Sequence, residues 1–188
     1  MKKSIVFTAF LSLFVLATAA SAQKAPADFS GTWNLDLAKS SLGQQAPMIK
    51  SQTLTIKQDG SKFTTSTKIE RNPPPADAPA GGGGGRPGGG MGGGGGEQSF
   101  TLDGKEMSMD MPAGPNGATA PMKMTGKWDG SKVVTTTVST RTGQDGTPST
   151  TTTKSTYDLG AGGKSLTVNR ESTRNGNTTS TTSVYTKG

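Results

Sequence analysis

The chain has 188 residues, a formal net charge of +7, 28 glycines, and neither cysteine nor histidine. Without cysteine it forms no disulfide, and without cysteine or histidine the usual zinc, copper and haem sites and every histidine-dependent nucleophile are excluded. The positive charge is carried by lysines spaced singly (Lys57, Lys62, Lys68, Lys105, Lys127, Lys132, Lys164), a distribution that suits solubility and protected strand edges rather than a nucleic-acid partner.

At the start, Met1-Lys2-Lys3 precede an apolar stretch from Ile5 to Ala20, which ends in Ala20-Ser21-Ala22. A charged beginning, an apolar segment shorter than the roughly 20 residues of a membrane span, and small residues at the cut form a secretion signal. Residues 1–22 therefore read as a signal peptide cleaved after Ala22. The remaining 23–188 are expected to work as one domain in the periplasm or outside the cell. No cysteine follows the cut, which excludes a lipid-anchored form, and no later stretch is apolar enough to span a bilayer.

The body of the chain reads as strands separated by tight turns. Trp33, Leu35 and Leu37 alternate, as do Leu54 with Ile56, Phe63 with Ile69, and Phe100 with Leu102. Met107, Met109 and Met111 are in phase, as are Met122, Met124 and Trp128. Val134 then agrees with Val138, Tyr157 with Leu159, and Leu166 with Val168. Such alternation marks half-buried strands. Between the runs stand Asp59-Gly60, Asp103-Gly104, Asp129-Gly130, Asp145-Gly146 and Asn175-Gly176, pairs that accept the positive φ angles of hairpin turns. The count is about eight to ten strands, nearly all joined by hairpins. Ala38 to Ile49 has room for one short helical turn. The Thr/Ser-rich stretch from Thr135 to Thr156 reads as two strands, because threonine is β-branched and suits a sheet surface.

Residues 72–96 are proline followed by nearly pure glycine, and nothing there can offset ordering entropy by burial. A flexible loop is expected, with a reach of about 25–30 Å as a Gly-rich coil, long enough to cross the mouth of a small barrel. A second Pro/Gly/Ala-rich loop runs from Pro112 to Pro121.

The string Phe29-Ser30-Gly31-Thr32-Trp33-Asn34-Leu35-Asp36-Leu37-Ala38-Lys39-Ser40, with its Gly-x-Trp opening the first strand, resembles the lipocalin-like domain of secreted bacterial calycin-type proteins. Lys127-Trp128-Asp129-Gly130-Ser131-Lys132 is similar to the late hairpin of fatty-acid-binding proteins, and Val184-Tyr185-Thr186-Lys187 loosely resembles their final strand. The resemblance implies an all-β fold: an up-and-down antiparallel meander barrel. It further implies that Trp33, opened by Gly31, closes one end of the barrel beneath an arginine from a late strand. Arg170 is the candidate, since it shares the phase of Leu166 and Val168; an arginine over an indole is a cation–π contact. The chain departs from fatty-acid-binding proteins at their Arg-x-Tyr, where it reads Ser183-Val184-Tyr185, so a fatty-acid ligand is not implied.

Other motifs fail on their context. Gly162-Gly163-Lys164-Ser165 lacks both the earlier glycine of a phosphate loop, Asp158 standing there, and the helix that should follow. No carboxylate pair stands out for acid–base work, so no enzyme activity and no cofactor are expected. What remains is a binding protein. Phe63, Phe100, Met107, Met109, Met122, Met124 and Tyr157 are the candidate lining of a mouth that takes a small apolar or amphipathic molecule, methionine being the adaptable liner of such sites. The glycine loop would cover that mouth. The other expectation is a monomeric envelope module with a filled barrel, touching glycan or protein through its Thr/Ser faces.

Overall fold

The computed structural model describes residues 27–73, 96–112, 119–142 and 146–188. Ten strands follow in chain order: β1 (Gly31–Leu35), β2 (Ile49–Asp59), β3 (Lys62–Arg71), β4 (Gln98–Thr101), β5 (Met107–Pro112), β6 (Thr119–Asp129), β7 (Lys132–Thr142), β8 (Pro148–Leu159), β9 (Ser165–Arg174) and β10 (Asn177–Lys187). They form one antiparallel sheet in the order β4-β3-β2-β1-β10-β9-β8-β7-β6-β5. Pairing of β1 with β10 brings the first strand onto the last, and an up-and-down meander becomes a nearly closed barrel. Residues 1–26, which include the expected signal peptide, the Ala/Gly-rich residues 113–118 and most of the expected 72–96 loop lie outside the described residues. Asn72, at the start of that loop, is tied down: its amide N–H and its Nδ2 donate to the carbonyls of Met48 and Pro47, at 3.0 and 2.9 Å.

Among the described residues, hairpins fall at Asp59-Gly60, Asp129-Gly130 and Asn175-Gly176; Asp145 of the Asp145-Gly146 pair lies outside them. At the β9–β10 turn both Asn175 (φ 50°) and Gly176 (φ 79°) take positive φ, which matches the twist of the flanking strands. Asp103-Gly104 is the exception. It joins β4 to β5, and no ladder joins those two strands among the described residues. The Asp103 carboxylate accepts from the Lys105 N–H and the Thr101 hydroxyl, a local turn closed by the side chain itself. The backbone then stitches across to β6, through a bridge between Asp103 and Lys127 and a 2.9 Å bond from the Gly104 N–H to the Gly126 carbonyl. The seam of the barrel is thus held by a few bonds, not a ladder.

Leu37 also departs from its expected place. It is 40% exposed, because β1 stops at Leu35 and Asp36 caps a 3-10 turn over Leu37–Lys39, accepting from the Lys39 N–H. A second 3-10 segment, Gly43–Met48, follows. Where β1 has ended, these turns fill the wall between β2 and β10, held by paired backbone bonds between Ser41 and Thr182.

The interior is divided along its length. At the end marked by the 59–62 and 129–132 turns, Phe29, Trp33, Ile56, Phe63, Phe100, Val133 and Leu166 are almost wholly buried. Phe29 lies edge-on to Phe63 (5.9 Å between centroids) and tilted against Trp128 (6.1 Å), and Phe63 lies edge-on to Tyr157 (5.0 Å), spacings typical of aromatic pairs. Towards the other end the inward positions become Thr137, Ser139, Thr151, Thr153, Ser172, Thr179 and Thr181. The barrel is packed at one end and hydroxyl-lined at the other.

Candidate functional site

Trp33 plugs the packed end. Its Nε1–H donates to the Phe29 carbonyl at 2.9 Å, and the ring is fully buried. The cation over that ring is Lys187, with Nζ 5.2 Å from the centroid. The expected arginine is elsewhere. Lys187 stands directly opposite Trp33 in the β1–β10 ladder, whereas Arg170 lies two positions beyond Val168, towards the hydroxyl-lined end. Gly31 makes the arrangement fit. It holds φ at 137°, and a Cβ there would meet the Lys187 Cε at 3.1 Å, so a side chain at 31 would push the lysine off the indole.

Among the described residues, most of the candidate lining residues pack against one another. Phe63, Phe100, Met122, Met124 and Tyr157 are buried members of one core cluster, with Met107 packed against it. Met109 shares their phase but is 41% exposed. It pairs with Met122 on one side only, since β5 is an edge strand. Among the described residues, β5 gives Met109 a strand neighbour on one side alone.

Where the packed half ends, polar groups meet. The Tyr157 phenol lies among the hydroxyls of Thr65, Thr135 and Ser155, all three buried. The Tyr185 hydroxyl accepts from Gln52 Nε2 at 2.6 Å. Beside Tyr185 a cleft of about 40 Å³ opens under the 3-10 segment, lined among others by Leu42, Ile49, Gln52 and Arg170. Sequence reasoning missed Gln52 and Lys187. The role of Lys187 becomes visible only once the register of β1 on β10 is known.

Burial pushes both phenols above their ordinary ionisation range; neighbouring hydrogen bonds and the Arg170 charge offset part of this. They are the chain's only tyrosines. Because their folded pKa values exceed the unfolded ones, their contribution is intact below about pH 10 and is lost as the pH rises beyond it, where the unfolded chain releases protons that the barrel retains. In an alkaline titration followed at 295 nm, tyrosinate is expected only together with the loss of β-sheet circular dichroism. A phenol that ionises near its ordinary value in an intact barrel would contradict the burial.

No protein-family model and no curated protein sequence matches the chain. Among solved structures the chain is similar to the zebrafish ileal bile-acid-binding protein, crystallised with cholic acid, at 13% sequence identity and a TM-score of 0.47, over 85% of this chain and 98% of that one.

Proposed function

We propose that this is an exported, monomeric binding protein that takes a small amphipathic molecule at the hydroxyl-lined end of its barrel and performs no catalysis. The observation that carries this reading is the division of the interior. One half is filled by aromatic and aliphatic side chains, while the other presents hydroxyls and a cleft beside Tyr185. Stability alone would favour filling both halves with apolar groups. Ile69, Met109 and Met111 are only partly covered or exposed towards that same end, and offer an adaptable apolar surface beside the polar one.

The packing of Phe63, Phe100, Met122, Met124 and Tyr157 favours a second reading, an envelope module whose barrel is filled. Native mass spectrometry of the protein purified from its own host separates the two. The first reading expects a chain that begins at Gln23 and carries an extra mass lost on denaturation. A bare chain that captures envelope glycan or protein supports the second, and a chain retaining Met1 removes export from both.

A further inference from the structure

Five of the chain's eight methionines stand on one pair of strands. Met107, Met109 and Met111 fall on β5 and Met122 and Met124 on β6, while Met1, Met48 and Met91 are scattered along the sequence. The ladder sets Met107 directly opposite Met124 and Met109 directly opposite Met122. Residues opposite one another in an antiparallel pair share a face, with Cβ atoms about 4.5–5.5 Å apart, and residues two apart along a strand share it as well. All five thioethers therefore leave the ribbon on one side. Its charged groups take the other side. Asp110 stands between Met109 and Met111, and Lys123, between Met122 and Met124, pairs with Glu106 at 2.9 Å.

Core filling accounts for part of this group. Met122 and Met124 are buried in the core cluster, and Met107 and Met111 pack against it. Filling does not account for the choice of residue. The other eight strands supply that cluster with Trp, Phe, Tyr, Leu, Ile and Val and no methionine, and aromatic and β-branched side chains are the ones a sheet ordinarily favours. Nor does it account for Met109, which is 41% exposed on an edge strand and has no gap to fill.

In a chain with neither cysteine nor histidine, thioether sulfur is the soft donor that remains. Thioethers select Cu(I), and with it Ag(I), over zinc and the hard divalent ions. The unbranched methionine side chain turns about three bonds, so sulfurs at these register positions can converge on one point. Among the described residues, no three carboxylates gather to offer a competing hard-cation site. We infer that the β5–β6 ribbon carries a thioether site for a soft monovalent cation, Cu(I) or Ag(I), in which Met107, Met109, Met122 and Met124 supply the sulfurs and the half-exposed Met109 is the point of entry. The site goes beyond the amphipathic ligand and does not depend on it.

Titration of the protein with Ag(I), and with Cu(I) kept reduced by ascorbate in competition with bicinchoninate, tests it; Zn(II) and Cu(II) are the comparison ions. One Ag(I) or Cu(I) ion per chain is expected, seen as added mass in native mass spectrometry and with sulfur neighbours in X-ray absorption. Zn(II) and Cu(II) should not be retained. M107L/M109L should lose at least the roughly tenfold that disturbing a metal's surroundings costs, M122L/M124L should lose as much, and M48L should lose nothing. Leucine conserves volume, which cores tolerate. The β5 pair is only partly buried, so M107L/M109L keeps the test decisive even where M122L/M124L melts early. No retention of Ag(I) or Cu(I), oxygen or nitrogen neighbours in place of sulfur, equal retention of Zn(II), or an M107L/M109L variant that binds as tightly as the parent overturns the site.

Discussion

Replacing Trp33 with alanine should cost the barrel about 3–5 kcal/mol, the usual range for deleting a buried aromatic side chain. For a domain of this size that lowers the melting temperature by roughly 10 °C. Three contributions are lost together. The ring is fully buried in the aromatic plug, its Nε1–H satisfies the Phe29 carbonyl, and its face seats Lys187. Alanine leaves a cavity in the packed end and an acceptor without its donor, and the surrounding wall is a hydrogen-bonded ladder that cannot collapse inwards. W33F keeps most of the packing and loses the indole bond, so its loss should be about a third as large. Thermal melts of the two variants check this order. An alanine variant that melts within a degree or two of the parent would show that Trp33 does not close the barrel.

The second large effect is expected at Gly126, in the middle of β6. A Cβ at that position would lie 2.8 Å from the Thr101 carbonyl oxygen, 2.9 Å from Phe100 Cβ and 3.3 Å from Leu102 Cδ2. Two of these neighbours are backbone or Cβ atoms, which no rotamer change can move aside. The end of β4 must therefore lift away from β6, and the bond from the Gly104 N–H to the Gly126 carbonyl goes with it. G126A should destabilise by about 1–3 kcal/mol, the usual range for overpacking, and G126V by more. The loss should be local in hydrogen exchange: the Gly104 amide loses protection while the β7–β8 and β9–β10 ladders keep theirs. Retained protection at Gly104 in G126V would show that the seam has another support.

The turns were legible in the sequence because their chemistry is local. Asn175-Gly176 needs only its own φ angles to form a hairpin, and the strands between turns followed from alternation. Asp103-Gly104 has the same chemistry but makes no hairpin, since its partner is β6, distant in sequence. Phase was harder to read where threonine fills both faces of a strand. Val134 and Val138 do share a face, but it is the one opposite Val133 and Thr135, although Val134 itself is buried there. β-branched residues fit either side of a sheet, so such a strand carries little record of which side is wet. The candidate site was legible only in part for a related reason. The phase that placed Arg170 inward is local, but the meeting of Gln52 with Tyr185 depends on the register of β2 on β1 and of β1 on β10. Lys187 reaches Trp33 through a pairing that spans nearly the whole described chain.

That last pairing has a kinetic consequence. Every other ladder among the described strands joins strands adjacent in sequence, most of them through a short turn, whereas β1 must find β10 across nearly the whole described chain. Closing a long loop costs entropy that is recovered only when the pairing is complete, which makes such contacts slow. The chain's two tryptophans therefore act as separate clocks. Trp128 sits beside the β6–β7 turn and is ordered when that hairpin forms. Trp33 is sealed only when the ring closes, so in stopped-flow refolding of single-tryptophan phenylalanine variants its fluorescence change should lag behind that of Trp128. Simultaneous changes would mean that the ring closes as early as its hairpins do.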